Sequence, residues 1–391
     1  MTTDTKSLPL IIHLITRLEN GGAQLHALHI VEGLPRADFE VMLAYGPGGY
    51  LDAQAESIDS LTCVPITGLQ RSLGPFTDVV ALFQLTKFLR SNCRERPVIL
   101  QTHSSKAGIL GRMAGRLAGA KAIIHTVHGF GFRAGSTDLK RNLLCLVERS
   151  VSRFMDWALC VSYADLRLGA DKGLLDEEKA SVIRAGIDVS SHGKSPLLGE
   201  ELRSELGIPL GAPLIGTVAC LKPQKAPVDF VGACAHILRE EPDSHFLLVG
   251  DGALRPQVEE AISQVPGMKE RLHLMGWTDR VPAVLSALDI FLLTSLWEGL
   301  PRALLEARAA GLPCVVTDTC GNPEAIEHGV HGLVVPMHRP DLVAEAAISI
   351  IRDRSLYDKF SKQGPVDLDS FDISHIVPQH VELYNRLLCR D

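Results

Sequence analysis

The sequence predicts an α/β chain made of two doubly wound parallel sheets. Three observations carry this. Short apolar runs alternate with helical patterns along the whole length. The alternation is interrupted once, near the middle, by a polar stretch containing Gly and Pro. A chain of 391 residues with 46% apolar content is large enough for two cores of ordinary size.

The elements follow in order. LIIHLIT (10–16) reads as a strand, followed by the turn Glu19-Asn20-Gly21-Gly22 and a helix from about Ala23. EVMLAY (40–45) is the next strand-like run. VILQTH (98–103) leads into a helix near Ser104, and AIIHTV (122–127) ends at His128-Gly129. WALCVS (157–162) leads into another helix, and SVIRAG (181–186) closes the first half. SSHGKSPLLGE (190–200) is the linker candidate. The pattern then restarts with PLIGTVA (213–219), HFLLVG (245–250), LHLMG (272–276), DIFLLTS (289–295), PCVVTD (313–318) and GLVVP (332–336). The last residues carry the apolar stripe of a terminal helix. The expected organisation is an N-terminal domain over 1–189, a linker over 190–204, a second domain over 205–370, and a helix over 371–391 packing back on the first domain. Ligands of such sheets bind beyond the carboxyl ends of the strands, so a crevice between two such domains is the expected binding place.

Composition excludes several classes. No run of eighteen apolar residues is present, so no membrane-spanning helix is expected. The run LPLIIHLI is short and flows into a polar turn, as a first strand would, rather than reading as a signal peptide. Nine scattered cysteines show no disulfide framework, and Cys314 and Cys320 lack histidine partners at zinc spacing. Reduced thiols and a cytoplasmic location are expected. The net charge of −7 is uneven: residues 1–195 carry +3 and the remainder −10. Residues 87–153 hold 13 basic and 3 acidic side chains. That stretch is either a solvated basic face or a peripheral contact with anionic lipid at the inner face of the cell membrane. It has no nucleic-acid-binding motif and little aromatic interleaving, so nucleic acid is not an expected partner.

The segment TSLWEGLPRALLEARAAGLP (294–313) carries the most chemistry. Pro301 marks a helix start, which puts Glu298 in the preceding loop and Glu306 in the second turn. Backbone N–H groups at a helix start attract anions. Two carboxylates flanking an anion site suit a ligand that is part phosphate and part polyhydroxyl; the bland reading is a surface helix with scattered acids. Gly21-Gly22 lies between a strand and a helix, where it either lets backbone approach a pyrophosphate or simply turns the chain. Gly250-Asp251-Gly252 also follows a strand, but Arg255 stands where a dinucleotide fingerprint needs glycine. GTVACLKPQKAP (216–227) offers Lys222 and Lys225 at a strand end, either to a phosphate or to solvent. His103 and His128 sit at strand ends, as sugar contacts or as structural residues, and Ser104 or Ser105 is a candidate helix cap. His125 and His128 lack a third ligand, and Asp367-Leu368-Asp369 lies away from strand ends. Neither a metal site nor a cofactor is expected.

Taken together, these segments resemble the retaining glycosyltransferases of family 4, with the GT-B fold: two doubly wound Rossmann-like domains facing across a crevice. The resemblance rests on ENGGAQLHAL, HSSKAGILGRMAG, HTVHGFGF, VSYAD, RAGIDV, GNPEAIEHGVHGLVVP and, most strongly, WTDRVPAVLSALDIFLLTSLWEGLPRALLEARAAGLPCVVTD. HTVHGFGF with LKRNLLCLVERSVSR is most similar to bacterial members that build surface polysaccharides. The resemblance implies roles. Gly21 and Gly22 would lie against the donor diphosphate, with Lys225 on phosphate and the backbone at Gly299, Leu300 and Pro301 facing it. Glu306 would hold the ribose hydroxyls, and Glu298 the hydroxyls of the donor sugar. His128 would contact that sugar near the reacting carbon. Cys220, Gly250 and Gly276 complete the donor side, and His103, Ser104 and Lys106 the acceptor side.

In one place the chain departs from the family. Cys220 stands where the family usually has arginine, and Ala226 where it has glycine. A thiol cannot supply the bidentate grip of a guanidinium, and the lost contact is worth about 1.5–3 kcal/mol; Lys222 is a candidate replacement for the charge. The implied activity is metal-independent transfer of a hexose-type sugar, with retention, from a nucleoside diphosphate donor to a hydroxyl of a glycan or polyprenyl-linked acceptor. UDP is favoured as the nucleotide, with GDP as the other candidate. The departing diphosphate would help deprotonate the acceptor hydroxyl in a front-face mechanism. The competing readings are a non-catalytic nucleotide-sugar-binding partner and a nucleotide-sugar epimerase. Donor sugar, acceptor and oligomeric state are not encoded in these motifs.

Overall fold

The computed structural model describes residues 7–72, 74–130 and 138–390, with backbone alone at 138–141. It divides into two units, Met1–Gly186 with Ile373–Asp391, and Ile187–Asp372.

The first unit is built on a seven-stranded sheet in the order β3-β2-β1-β4-β5-β6-β7. The strands are β1 (Leu10–Arg17), β2 (Glu40–Gly46), β3 (Thr62–Pro65), β4 (Val98–His103), β5 (Ala122–Val127), β6 (Trp157–Cys160) and β7 (Ala180–Val182). Every pair is parallel. The central strands β1, β4 and β5 are buried almost throughout, which is why they read as near-continuous apolar runs. Among the described residues, β3 is the one strand sequence patterning misses: it has four residues, lies at the edge, and ends in Pro65.

The second unit holds a six-stranded parallel sheet in the order β10-β9-β8-β11-β12-β13. Its strands are β8 (Leu214–Val218), β9 (His245–Val249), β10 (Leu272–Gly276), β11 (Ile290–Leu293), β12 (Cys314–Thr317) and β13 (Gly332–Val335). In each sheet the strand order reverses once, between β1 and β4 in the first and between β8 and β11 in the second. Those switch points are where doubly wound sheets open a ligand crevice at their carboxyl ends.

Period-two alternation decides which face each strand residue takes. On one face of the first sheet, Leu10, Ile12, Leu14, Val98 and Leu100 pack with Ala107 and Ala114 of the helix Ser105–Ala118. On the other, Ile11, Ile99 and Ile124 pack with Ile30 and Val31 of the helix Gly22–Gly33 and with Ile376, Leu383, Tyr384 and Leu387 of the last helix, Ile373–Leu388.

The polar segment 190–204 is ordered structure of the second unit rather than free chain. Ser190–His192 is a 3-10 turn, and Pro196–Glu205 is a helix. Arg203 anchors that helix, donating to the carbonyls of Ala212 and Ala287 at 2.8 Å each and to Asp289 at 2.7 Å.

Candidate functional site

At the switch point of the second unit, the loop after β8 meets the loop after β11. Glu298 is 4% exposed and is held from three sides. Ser295 donates to its Oε1 at 2.6 Å, Lys225 Nζ pairs with the same oxygen, and Gln224 Nε2 reaches Oε2 at 3.3 Å. Gln224 also donates to the Trp297 carbonyl at 2.8 Å, and Thr294 Oγ1 to the Lys225 carbonyl at 3.0 Å. The two loops are therefore stitched together by side chains from both.

Pro301 is the cap residue of the helix Arg302–Ala309, one position earlier than a first-turn proline would be. Glu306, 8% exposed, lies in the second turn as the sequence indicates. Its Oε1 is 3.4 Å from Arg302 Nη2 and 3.9 Å from His192 Nε2. Burial pulls the Arg302 guanidinium below its ordinary pKa, and Glu306 opposes that shift. His192 is fixed by the Asp188 carbonyl at 2.8 Å.

The loop 299–301 rests on Gly321. A Cβ there would lie 1.7 Å from the Gly299 carbonyl oxygen and 3.2 Å from Leu300 Cα, so only glycine allows this approach. Gly250 has a left-handed φ of +131°, and its Cβ would meet the Ala219 carbonyl at 2.1 Å. Gly250 N donates to the Gly276 carbonyl at 2.7 Å. A Cβ on Gly252 would lie 2.5 Å from the Leu221 carbonyl oxygen, so Gly250 and Gly252 form the floor beneath the 219–221 loop, which carries the half-buried Cys220. Among the described residues, no group of three or more His, Cys, Asp or Glu side chains could hold a metal ion.

The switch point of the first unit gathers the other candidates. Gly21 caps the helix Gly22–Gly33 in extended conformation, leaving its first N–H groups at the end of β1. Ser104 occupies the cap position of the helix Ser105–Ala118 but does not cap it with its side chain. Its φ is +64°, and its hydroxyl lies 2.7 Å from Thr16 Oγ1. Thr16, from the end of β1, supplies the cap instead by accepting the Ala107 N–H at 3.1 Å. Lys106 is bonded to Asp78 of the helix Pro75–Cys93 and to the Ser72 carbonyl.

His103 has no exposed surface, and both its ring nitrogens are engaged, with His13 at 3.0 Å and His128 at 2.9 Å. It therefore stands behind His128 with no nitrogen left for an acceptor, and only His128 of the two is partly exposed. Desolvation lowers the pKa of both: His128 to about 4, and His103 well below its usual range, with His13 the next cause. Sequence reasoning did not single out Ser295, Gln224, Arg302, His192, Thr16 or His13. The signal for His13 is a histidine at an inward position of an otherwise apolar strand.

Two doubly wound parallel sheets of this kind are the GT-B architecture. Residues 20–191 match the model described as Glycosyltransferase Family 4, and residues 199–367 that of Glycosyl transferases group 1. The Escherichia coli UDP-Gal:alpha-D-GlcNAc-diphosphoundecaprenol alpha-1,3-galactosyltransferase is 32% identical over 337 residues, covering 86% of each chain. The putative glycosyltransferase EpsF of Bacillus subtilis is 25% identical, covering 88% of this chain and 87% of its own. Among solved structures, the Anabaena HepE protein with UDP and glucose shares the fold with a TM-score of 0.83 at 21% identity, covering 96% of this chain and 99% of that one. The chain belongs to glycosyltransferase family 4 and is a glycosyltransferase that uses a nucleotide sugar.

Proposed function

We propose that the protein moves a hexose-type sugar from a UDP-sugar, with retained configuration and without a metal ion, to a hydroxyl of a polyprenyl-diphosphate-linked glycan. The observation that carries this reading is the buried Glu298–Lys225 pair beside a helix start, with Glu306 one turn into the helix. A helix start and an ammonium group can stabilise charge developing on a departing diphosphate. Glu306 offers a carboxylate to vicinal ribose hydroxyls, and Glu298 to hydroxyls of the sugar. Gly21 and Gly22 bring backbone N–H groups that suit phosphate oxygens. His128 is the partly exposed partner for a sugar hydroxyl. UDP and a lipid-diphosphate acceptor are supported by the galactosyltransferase relative, whose name carries both.

A peripheral membrane contact fits such an acceptor. Phe76, Val79 and Phe83 on the helix Pro75–Cys93, and Leu143, Leu144 and Leu146 on Asp138–Ser152, are exposed, in or beside the basic stretch 87–153. Flotation with anionic vesicles that is lost at high salt supports this contact; no flotation removes it.

The test of function is consumption of UDP-galactose or UDP-glucose with and without a GlcNAc-diphosphoprenol acceptor. Acceptor-dependent UDP release with an α-linked product supports transfer. Donor conversion without acceptor makes the protein an epimerase, and binding without turnover makes it a non-catalytic partner.

A further inference from the structure

One face of the first sheet carries a polar line through its core. Alternation puts His13 of β1, Gln101 and His103 of β4, and Thr126 of β5 on the side covered by the helix Ile373–Leu388; His13 is in register with Gln101, and His103 with Thr126. All four are at most 2% exposed. Their hydrogen bonds form a single line: His128 Nε2 to His103 Nδ1 at 2.9 Å, His103 Nε2 to His13 Nδ1 at 3.0 Å, His13 Nε2 to Tyr384 OH at 3.2 Å, and Tyr384 OH to Gln101 Oε1 at 2.5 Å. Gln101 Nε2 ends it by donating to Thr126 Oγ1 at 2.8 Å.

A neutral imidazole has one donor nitrogen and one acceptor nitrogen. The three histidines are neutral, since burial lowers the pKa of each and no carboxylate is among their hydrogen-bond partners in the described residues. Such a line has only two senses, and one end decides for all. With its amide nitrogen turned to Thr126, to which it donates one hydrogen, Gln101 shows Tyr384 its carbonyl oxygen, which accepts the phenol proton. The phenol oxygen must then accept from His13 Nε2–H. In turn His13 Nδ1 accepts from His103 Nε2–H, and His103 Nδ1 accepts from His128 Nε2–H. His380 agrees with this sense. Its Nε2 is buried without a hydrogen-bond partner among the described residues, and a bare lone pair is cheaper there than an orphaned N–H. Its proton therefore sits on Nδ1, 3.4 Å from the Tyr384 oxygen, which accepts again.

We infer that Tyr384 and Gln101, acting through His13 and His103, set the tautomer of His128, so that His128 keeps its proton on Nε2 and offers an Nδ1 lone pair as a hydrogen-bond acceptor for a ligand hydroxyl. That the hydroxyl belongs to the donor sugar rests on the function proposed above; the tautomer does not. Tyr384 and Gln101 are positioning residues, three and four hydrogen bonds from His128. The last helix, which returns to the first unit after the second has been completed, contributes the group that orients it.

The experiment is a long-range proton–nitrogen correlation spectrum of the full chain labelled with 15N in its histidine rings and free of ligand, with His128 assigned from the His128→Gln variant. The expected result is a pyrrole-type Nε2 and a pyridine-type Nδ1 for His128. Tyr384→Phe removes one neutral hydrogen bond and is expected to shift the tautomer ratio about fivefold, which corresponds to ~1 kcal/mol. Gln101→Met, which removes the acceptor, should shift it in the same direction. If either the Phe or the Met variant fails to fold, the other decides. A pyrrole-type Nδ1 in the wild type overturns the inference, and so does a wild-type pattern unmoved by the folded variants. Because no ligand is added, neither outcome depends on whether the protein transfers sugar.

Discussion

Lys225 Nζ is bonded to Glu298 Oε1, so the cation proposed for phosphate and the carboxylate proposed for sugar neutralise each other. Both are largely shielded from water, with side chains 15% and 6% exposed. Truncating either one leaves the other buried and uncompensated, at a cost of about 3–5 kcal/mol. Lys225→Ala and Glu298→Gln should therefore be non-additive in a double-mutant cycle on stability, with a coupling of about 1–3 kcal/mol. Additive effects would mean that the pair does not act as a unit.

The two glutamates should fail differently. Glu306→Ala is expected to raise the donor dissociation constant roughly 10- to 100-fold, the worth of a charge-assisted hydrogen bond to a hydroxyl. Glu298→Ala is expected mainly to lower turnover, because its partners hold it where the sugar would react. Steady-state kinetics with varied donor separates the two effects. Unchanged kinetics in both variants would remove the site assignment.

Cys220 lies on the loop held over Gly250 and Gly252, and Leu221 N donates to the Asp251 carbonyl at 2.9 Å. Cys220→Arg should raise donor affinity by about tenfold or more if the guanidinium reaches phosphate. A lower affinity would show that the half-buried thiol site has been packed for a small side chain and cannot admit the larger one.

Much of this was legible in advance, for a physical reason. Central strands of parallel sheets are buried on both faces, so LIIHLIT, VILQTH and HFLLVG announce themselves, whereas the four-residue edge strand at Thr62 does not. Glu298 and Glu306 were visible because they share one short segment. The partners that hold them come from elsewhere: Lys225 and Gln224 are more than seventy residues from Glu298, and His192 lies in a stretch that reads as linker. The line from His128 to Tyr384 joins residues up to 371 positions apart, and no spacing rule reaches that far. Ser104 looked like a cap, but its hydroxyl is spent on Thr16, a pairing set by the alignment of β1 with β4.

Acid should weaken the first unit. Burial holds His13 and His380 down to about 3 and His128 down to about 4, and His125 well below its usual range. In the unfolded chain these imidazoles titrate near 6.5, so below that pH the unfolded chain binds protons that the folded chain refuses. Stability is complete above about pH 6.5 and falls towards pH 4, by up to roughly 1.4 kcal/mol per pH unit for each such histidine. Urea midpoints measured from pH 7.5 down to 5 should drop accordingly, and His380→Leu should flatten the slope. A midpoint independent of pH over that range would contradict buried neutral histidines.

Gly321→Ala tests the support beneath the loop 299–301, proposed to face the donor diphosphate. Its new methyl group meets backbone rather than a movable side chain. Overpacking of this kind costs about 1–3 kcal/mol, or roughly 2–4 °C of melting temperature per kcal/mol for a unit of this size. Donor affinity should fall with it, because Gly299 and Leu300 must move. A variant with wild-type melting and wild-type binding would show that the loop is not held by this contact.

The most direct test of the central claim is titration calorimetry of the purified protein with UDP- and GDP-sugars, without added metal, alongside Glu306→Ala. The expected result is saturable binding of a UDP-sugar that the substitution weakens at least tenfold. Folded wild-type protein that binds neither class, or a Glu306→Ala variant that binds as well as wild type, would contradict it.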